Sequence, residues 1–193
     1  MADRTGPSVV SVAHYVVFTV GTDRPGIVAA VTGAIVDLGG NLLDTAMTIL
    51  SGQFAVVLAV DADVEAGVLE ARIADATRSF DLDVSVREVA DFDGVRGDSD
   101  GAVPSDPWVV SVYGADRIGI VAGFTALLAA ADVNIVDLHT RRVGDAADPV
   151  YAMLLEVELA AATDVDRLRG TLDALAADLA VSVSLHRADA AIL

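Results

Sequence analysis

The chain contains itself twice. Tyr15-Val-Val-Phe-Thr-Val-Gly-Thr-Asp-Arg-Pro-Gly-Ile-Val-Ala29 returns as Trp108-Val-Val-Ser-Val-Tyr-Gly-Ala-Asp-Arg-Ile-Gly-Ile-Val-Ala122, displaced by 93 positions. Carried on without a gap, the offset sets Asn41 on Asn134 and Asp44 on Asp137, and 12 of the 31 positions from 15 to 45 are identical. Solenoid units repeat roughly every 20 to 50 residues. A period of 93 therefore marks a duplicated domain, and the fold must fit into half of 193 residues. Units of that size bury just enough surface to fold alone.

Each copy reads the same way. A β-branched run (Val16–Val20; Val109–Tyr113) predicts a buried strand. Gly-x-Asp-Arg-x-Gly then turns the chain into a helix. Its apolar face is Ile27, Val31, Ile35 and Leu38 in the first copy, closed by Gly39-Gly40, and Ile120, Phe124, Leu127 and Leu128 in the second. Two strands follow (Asn41–Ile49 and Phe54–Val60; Asn134–Val143 and Val150–Leu159). A short hairpin turn at Ser51-Gly52 joins the first pair, and a longer, more mobile one over Gly144–Pro149 joins the second. A second helix carries Val64, Val68, Leu69, Ile73 and Ala76, or Val165, Leu168, Leu172 and Leu175, with Thr163-x-x-Asp166 as a capping box. Closing strands span Leu82–Val89 and Val181–His186.

The order βαββαβ, twice, predicts an α+β fold of two ferredoxin-like modules. Each is an antiparallel four-stranded sheet with both helices on one face. The modules are placed at 9–90 and 108–190, and the Asp/Gly/Ser/Pro-rich stretch 91–107 reads as a linker. Open sheet faces and edges need cover, from pairing of the modules or from a homo-oligomer, expected to be a dimer.

Composition narrows the function. Twelve basic residues against 29 acidic ones give a net charge of -17, so no surface for neutralising phosphates is expected and no direct nucleic-acid binding. All twelve basic residues are arginine. The absence of cysteine excludes disulfides, thiolate metal sites and cysteine nucleophiles. His14, His139 and His186 lack ligand spacing, so no metal is expected, and His139 reads as a surface strand residue. No window reaches the roughly 18 apolar residues of a membrane helix. Val9–Val20 is broken by Ser11, His14 and Thr19 and has no basic leader, so a cytoplasmic protein without a signal peptide or membrane contact is expected.

Polar chemistry concentrates where the first strand meets the first helix. Amides at a helix N-terminus are unpaired and carry positive partial charge, which suits a carboxylate. Gly26 and Gly119 let a ligand approach the backbone, while Asp23 and Asp116 either meet an ammonium group or cap the helix. Asn41 and Asn134 offer donor and acceptor together. The same residues are also ordinary helix-start grammar, with Asp as cap and Pro25 in the first turn, and both readings stand. Asp91-Phe-Asp-Gly-Val95 mimics a phosphatase motif, but the chain has no lysine to complete that chemistry. No serine or threonine has a nearby histidine or lysine base, so no catalytic residue is assigned.

The segment Gly-Thr-Asp-Arg-Pro-Gly-Ile-Val and the later Gly-Asn-Leu-Leu-Asp, set in a βαββαβ frame, resemble the ACT domain, and the tandem covers nearly the whole chain. The layout is similar to the glycine cleavage system transcriptional repressor family. The resemblance implies amino-acid binding at domain interfaces, around the first loop and the start of the second strand. Carried over position by position, the ligand-binding residues are Asp23, Arg24, Pro25, Gly26 and Ile27, with Asn41 and Leu42. In the second copy they are Asp116, Arg117, Ile118, Gly119 and Ile120, with Asn134 and Ile135. Ile118 replaces the family's proline, which implies a reshaped second pocket.

The implied function is a stand-alone, cofactor-free regulator. It would bind a small amino acid, glycine or serine-like, and modulate a partner protein, extending to transcriptional control of glycine metabolism without DNA contact. The competing reading is a ligand-independent oligomerisation module or a detached regulatory subunit of an amino-acid-metabolism enzyme. Gly26→Val is expected to impair ligand response more than folding.

Overall fold

Alternating burial along the central strands shapes both modules. The computed structural model describes residues 12–90, 92, 107–143 and 150–188. In the first module β1 (Ala13–Thr22) leads to α1 (Ile27–Asp37), β2 (Asn41–Leu50), β3 (Gln53–Ala62), α2 (Ala66–Ala76) and β4 (Asp83–Val89). In the second, β5 (Pro107–Ala115) leads to α3 (Ile120–Ala130), β6 (Asn134–Val143), β7 (Val150–Glu158), α4 (Val165–Leu179) and β8 (Val181–Arg187). The sheets run β2-β3-β1-β4 and β6-β7-β5-β8, with every neighbouring pair antiparallel. These are two ferredoxin-like modules, and each has its own core.

In β3, Phe54, Val56, Leu58, Val60 and Ala62 are buried and alternate with more exposed residues. Together with Tyr15, Val17 and Thr19 of β1 they meet Ile27, Val31, Ala34 and Ile35 of α1 and Leu69 and Ile73 of α2. The second core repeats this with Val110 and Val112, Met153, Leu155 and Val157, Ile120, Phe124 and Leu128, and Leu168 and Leu172. Burying each large apolar side chain stabilises its module by about 1.5–3 kcal/mol.

Several residues shared by the copies have structural work. Gly21 and Gly114 sit where β1 and β5 pass their closing strands: a Cβ there would lie 2.5 Å from Leu82 Cδ2 or 2.8 Å from Val181 Cγ1. Asp44 and Asp137 follow a bulge and accept from the next backbone N–H, at 2.7 Å from Thr45 and 2.8 Å from Leu138. Ser51 and Gly52 both have positive φ (53° and 78°), as a type I′ hairpin turn requires. The left-handed residue that ends α1 is Gly39, but the same position after α3 is Asp132, with φ 55°.

The second helices differ from the sequence reading. Val64 lies ahead of α2 and Val68 is exposed, so Leu69 and Ile73 supply the buried face. The cap of α4 is not Thr163 but Asp164, whose carboxylate accepts from Arg167 N at 3.0 Å. Aspartate one residue further on reaches the third helical amide, so the Thr163/Asp166 box is not formed. The Gly144–Pro149 turn, the Asp91–Val95 motif apart from Phe92, and the linker between Phe92 and Pro107 lie outside the described residues.

Two buried polar groups in the first module lead to predictions. Thr19 is fully buried, and its hydroxyl has no hydrogen-bond partner among the described residues. The second module has Val112 at this position, equally buried. Thr19→Val should raise stability by about 1 kcal/mol, a few degrees in thermal unfolding, because a desolvated unpaired hydroxyl is removed. Tyr15 is buried and its hydroxyl donates to the Val64 carbonyl. Burial first, then the Glu88, Glu65 and Asp63 carboxylates, raise its pKa above 10.0. The stability contributed by the neutral phenol is complete below pH ~10 and is lost as pH climbs through the higher folded-state value. Absorbance of the Tyr15 phenolate should therefore appear together with loss of the first module's circular dichroism, and Tyr15→Phe should remove that last alkaline step.

Candidate ligand site

The loop between β1 and α1 is tied to its own hairpin: Asp23 N donates to Gly52 O at 2.9 Å. Gly26, at φ 100°, is the N-cap of α1, and no side chain caps the helix. The first bonded amide is Ala30 N, which donates to Gly26 O at 3.0 Å. The N–H groups of Ile27, Val28 and Ala29 have no acceptor among the described residues, and no acidic residue stands in the first turn. This helix end keeps its positive partial charge. Asp23 therefore does not cap the helix, and Pro25 precedes the cap instead of occupying the first turn.

A cleft of about 510 Å³ opens here. Its rim is Asp23, Arg24, Pro25 and Gly26, its wall Ile27, Val28, Ala29 and Thr32, and its floor Met47, Ile49 and Phe54. Neither the Asp23 carboxylate nor the Arg24 guanidinium has a partner among the described residues. The cleft thus joins an anion-favouring helix end, one free carboxylate, one free guanidinium and an apolar floor. Five of the seven residues expected in this copy come together: Asp23, Arg24, Pro25, Gly26 and Ile27.

Asn41 and Leu42 do not join them. Asn41 pairs with Asp61, which lies opposite His14 at the start of β1, whereas the loop follows Thr22 at the other end. Eight residues of extended strand separate the two ends by about 26 Å. The helix α1 carries the chain back along the sheet, so the start of β2 lies far from the loop that begins the helix. Asn134 in turn pairs with Glu158 beside Pro107, and its Nδ2 donates to Glu158 Oε2 at 3.2 Å. Ile135 is half-buried and packs against the second core.

The second loop has the same backbone and different neighbours. Gly119, at φ 98°, caps α3, and Gly123 N donates to Gly119 O at 2.8 Å. Here, however, Asp116 is ion-paired with Arg142 of β6. Arg142 stands at the position of Ile49, and Thr140 at that of Met47, so the apolar floor becomes polar and charged. Ile118 is fully exposed, and the Arg117 side chain has no partner among the described residues.

Sequence reasoning missed three pairings. His14 Nδ1 lies 2.6 Å from Asp61 Oδ1 with the His14 ring edge-on to Phe92, His139 Nε2 lies 3.0 Å from Asp137 Oδ2, and Arg142 meets Asp116. Only strand register or loop closure reveals the first and the third, whose partners lie across strands or a loop, whereas His139 and Asp137 are two positions apart on one strand. His139 is exposed on β6, as expected of a surface strand residue. No group of three or more His, Asp or Glu able to hold a metal occurs among the described residues. No described helix is long and apolar enough to cross a membrane.

The ACT domain family matches the chain twice, at residues 14–87 and 106–186. A UPF0237 protein of Pyrobaculum aerophilum is 39% identical over 82 residues, 42% of this chain and 87% of the relative. A UPF0237 protein of Methanopyrus kandleri is 37% identical over 75 residues, 37% of this chain and 83% of the relative. Among solved structures, a protein of unknown role from Galdieria sulphuraria superposes with a TM-score of 0.76 at 23% identity, over 93% of this chain and 100% of its own. A protein provisionally assigned as a glycine cleavage system transcriptional repressor superposes at 0.59 and 19% identity, over 91% and 97%. The last two likenesses concern the fold.

The glycines at the loop resist substitution for a backbone reason. A Cβ on Gly26 would lie 3.4 Å from the Phe80 ring, and φ 100° is strained for any L-residue. Gly26→Val should therefore lower stability by about 1–3 kcal/mol, replacing the expectation that binding suffers first. Gly119→Ala meets no atom within 4 Å, so its cost should be the backbone strain alone, about 1–2 kcal/mol. Chemical denaturation of the two variants checks both figures.

Proposed function

Because the chain belongs to the ACT domain family through both of its modules, we propose that it is a non-enzymatic cytoplasmic regulator that binds a small amino acid in the first-module cleft and modulates a partner protein. The observation that carries this reading is the set of three unpaired amides of α1 opening on a cleft beside an unpaired Asp23. The amides and Arg24 suit a carboxylate, and Asp23 suits an ammonium group. Met47 and Ile49 receive a short side chain. The shared fold with the provisional glycine cleavage repressor makes glycine and serine the first ligands to test, with transcriptional control exerted through a protein partner.

The reading assigns one ligand per chain in this type of site. In the second module Asp116 is already engaged by Arg142, so an ammonium group would have to displace a guanidinium. Asn41 belongs to the far end of the sheet and would reach such a ligand only from a second copy of the chain.

A second reading, a ligand-independent oligomerisation module, is favoured by the edge strand β2. All ten of its residues are exposed, including Leu42, Leu43, Met47, Ile49 and Leu50. Unpaired, apolar edges are templates for pairing, which also supports the proposed homodimer.

A thermal-shift screen of the twenty amino acids separates the readings. A ligand at 100 times its Kd adds about 2.7 kcal/mol, several degrees for a module of this size. Asp23→Asn should abolish the shift and Asp116→Asn should leave it intact. A flat response to all twenty, with an oligomer that no ligand perturbs, would establish the second reading.

A further inference from the structure

The duplicated modules differ at the end remote from the first loop. In the first, Arg72 of α2 is ion-paired with Asp37 at the end of α1, fastening the helices together. The buried pairs Leu69/Leu168 and Ile73/Leu172 and the caps Glu65/Asp164 align α2 with α4 at an offset of 99, and the sequence repeat aligns α1 with α3 at 93. Arg72 thus corresponds to Thr171, and Asp37 to Ala130. Both replacements line a cleft of about 540 Å³ between the end of α3 and the start of α4.

The walls of this cleft carry opposite charge. On one side is the negative end of α3, closed by Asp132, with Asp132 N donating to Ala129 O and Val133 N to Leu128 O. On the other is α4, whose Arg167 guanidinium has no partner among the described residues, while the Arg167 backbone N–H donates to Asp164 and its carbonyl accepts from the Thr171 hydroxyl at 3.3 Å. The Asp164 carboxylate is spent on that amide and offsets part of the helix charge, so the guanidinium is the main anion-binding group. Thr163 adds a hydroxyl and Leu168 an apolar surface, whereas the Thr171 hydroxyl already donates to Leu168 O at 2.8 Å.

We propose that this cleft is a binding site for a small zwitterion, an amino acid or close analogue. Its carboxylate pairs with Arg167 and accepts from the Thr163 hydroxyl, and its ammonium group lies against Asp132 and the α3 terminus. A lone anion meets Asp132 and Asp164, and a lone cation meets Arg167. Only a ligand carrying both charges satisfies both walls. The site is separate from the first-module cleft and does not rest on that one being a ligand site.

The test is amide chemical-shift mapping of the full ¹⁵N-labelled chain, titrated in turn with each of the twenty amino acids, acetate and methylammonium. Shifts should occur at 130–133 and 163–171 with at least one amino acid and with neither single-charge probe. Arg167→Gln should weaken them at least tenfold. The pair Ala130→Asp and Thr171→Arg, which installs the ion pair of the first module, should abolish them and leave any response near Gly26 unchanged. If the double variant does not fold, Arg167→Gln alone decides. No shift in these segments with any amino acid, equal shifts with acetate, or shifts that survive Arg167→Gln would each overturn the proposal.

Discussion

The structure turns on how a strand is converted to a helix at Gly26 and Gly119. Both caps adopt a positive φ that places the following helix over its own sheet. A glycine cap has no side-chain oxygen to give to the first amides, unlike the Asp164 cap of α4. The backbone solution that folds the module therefore leaves amides unsatisfied at one surface point. Fold and candidate site share one cause, and this is why a side chain placed at Gly26 would strain the backbone and alter the cleft together.

The duplication provides an internal comparison. Where both copies keep a residue for the fold, the contact is visible: Gly21 and Gly114 at the strand crossing, Asp44 and Asp137 at the bulge, Ile27 and Ile120 in the cores. Asp23 and Arg24, with Asp116 and Arg117, are repeated too, yet they are exposed and none caps a helix. Their surroundings then diverge. Ile49 leaves Asp23 free, whereas Arg142 neutralises Asp116. At the opposite end the asymmetry reverses, since Arg72 and Asp37 close the first module and Thr171 and Ala130 leave the second open. One fold thus carries two different surfaces because its core tolerates what its rim changes.

Amino-acid chemistry along the chain determined the duplication, the order of elements, the antiparallel modules and the loop at which polar groups gather. Each depends on local periodicity or on turn residues such as Ser51-Gly52, which are written in consecutive positions. Tertiary structure alone decided which of those groups meet. Asn41 is only 15 positions beyond Gly26 in sequence, yet α1 carries it to the far end of the sheet. Arg142 lies 26 positions from Asp116 and reaches it. Spacing along a chain sets the period of an element, whereas strand register and helix direction set which ends coincide, and those follow from how the whole module packs.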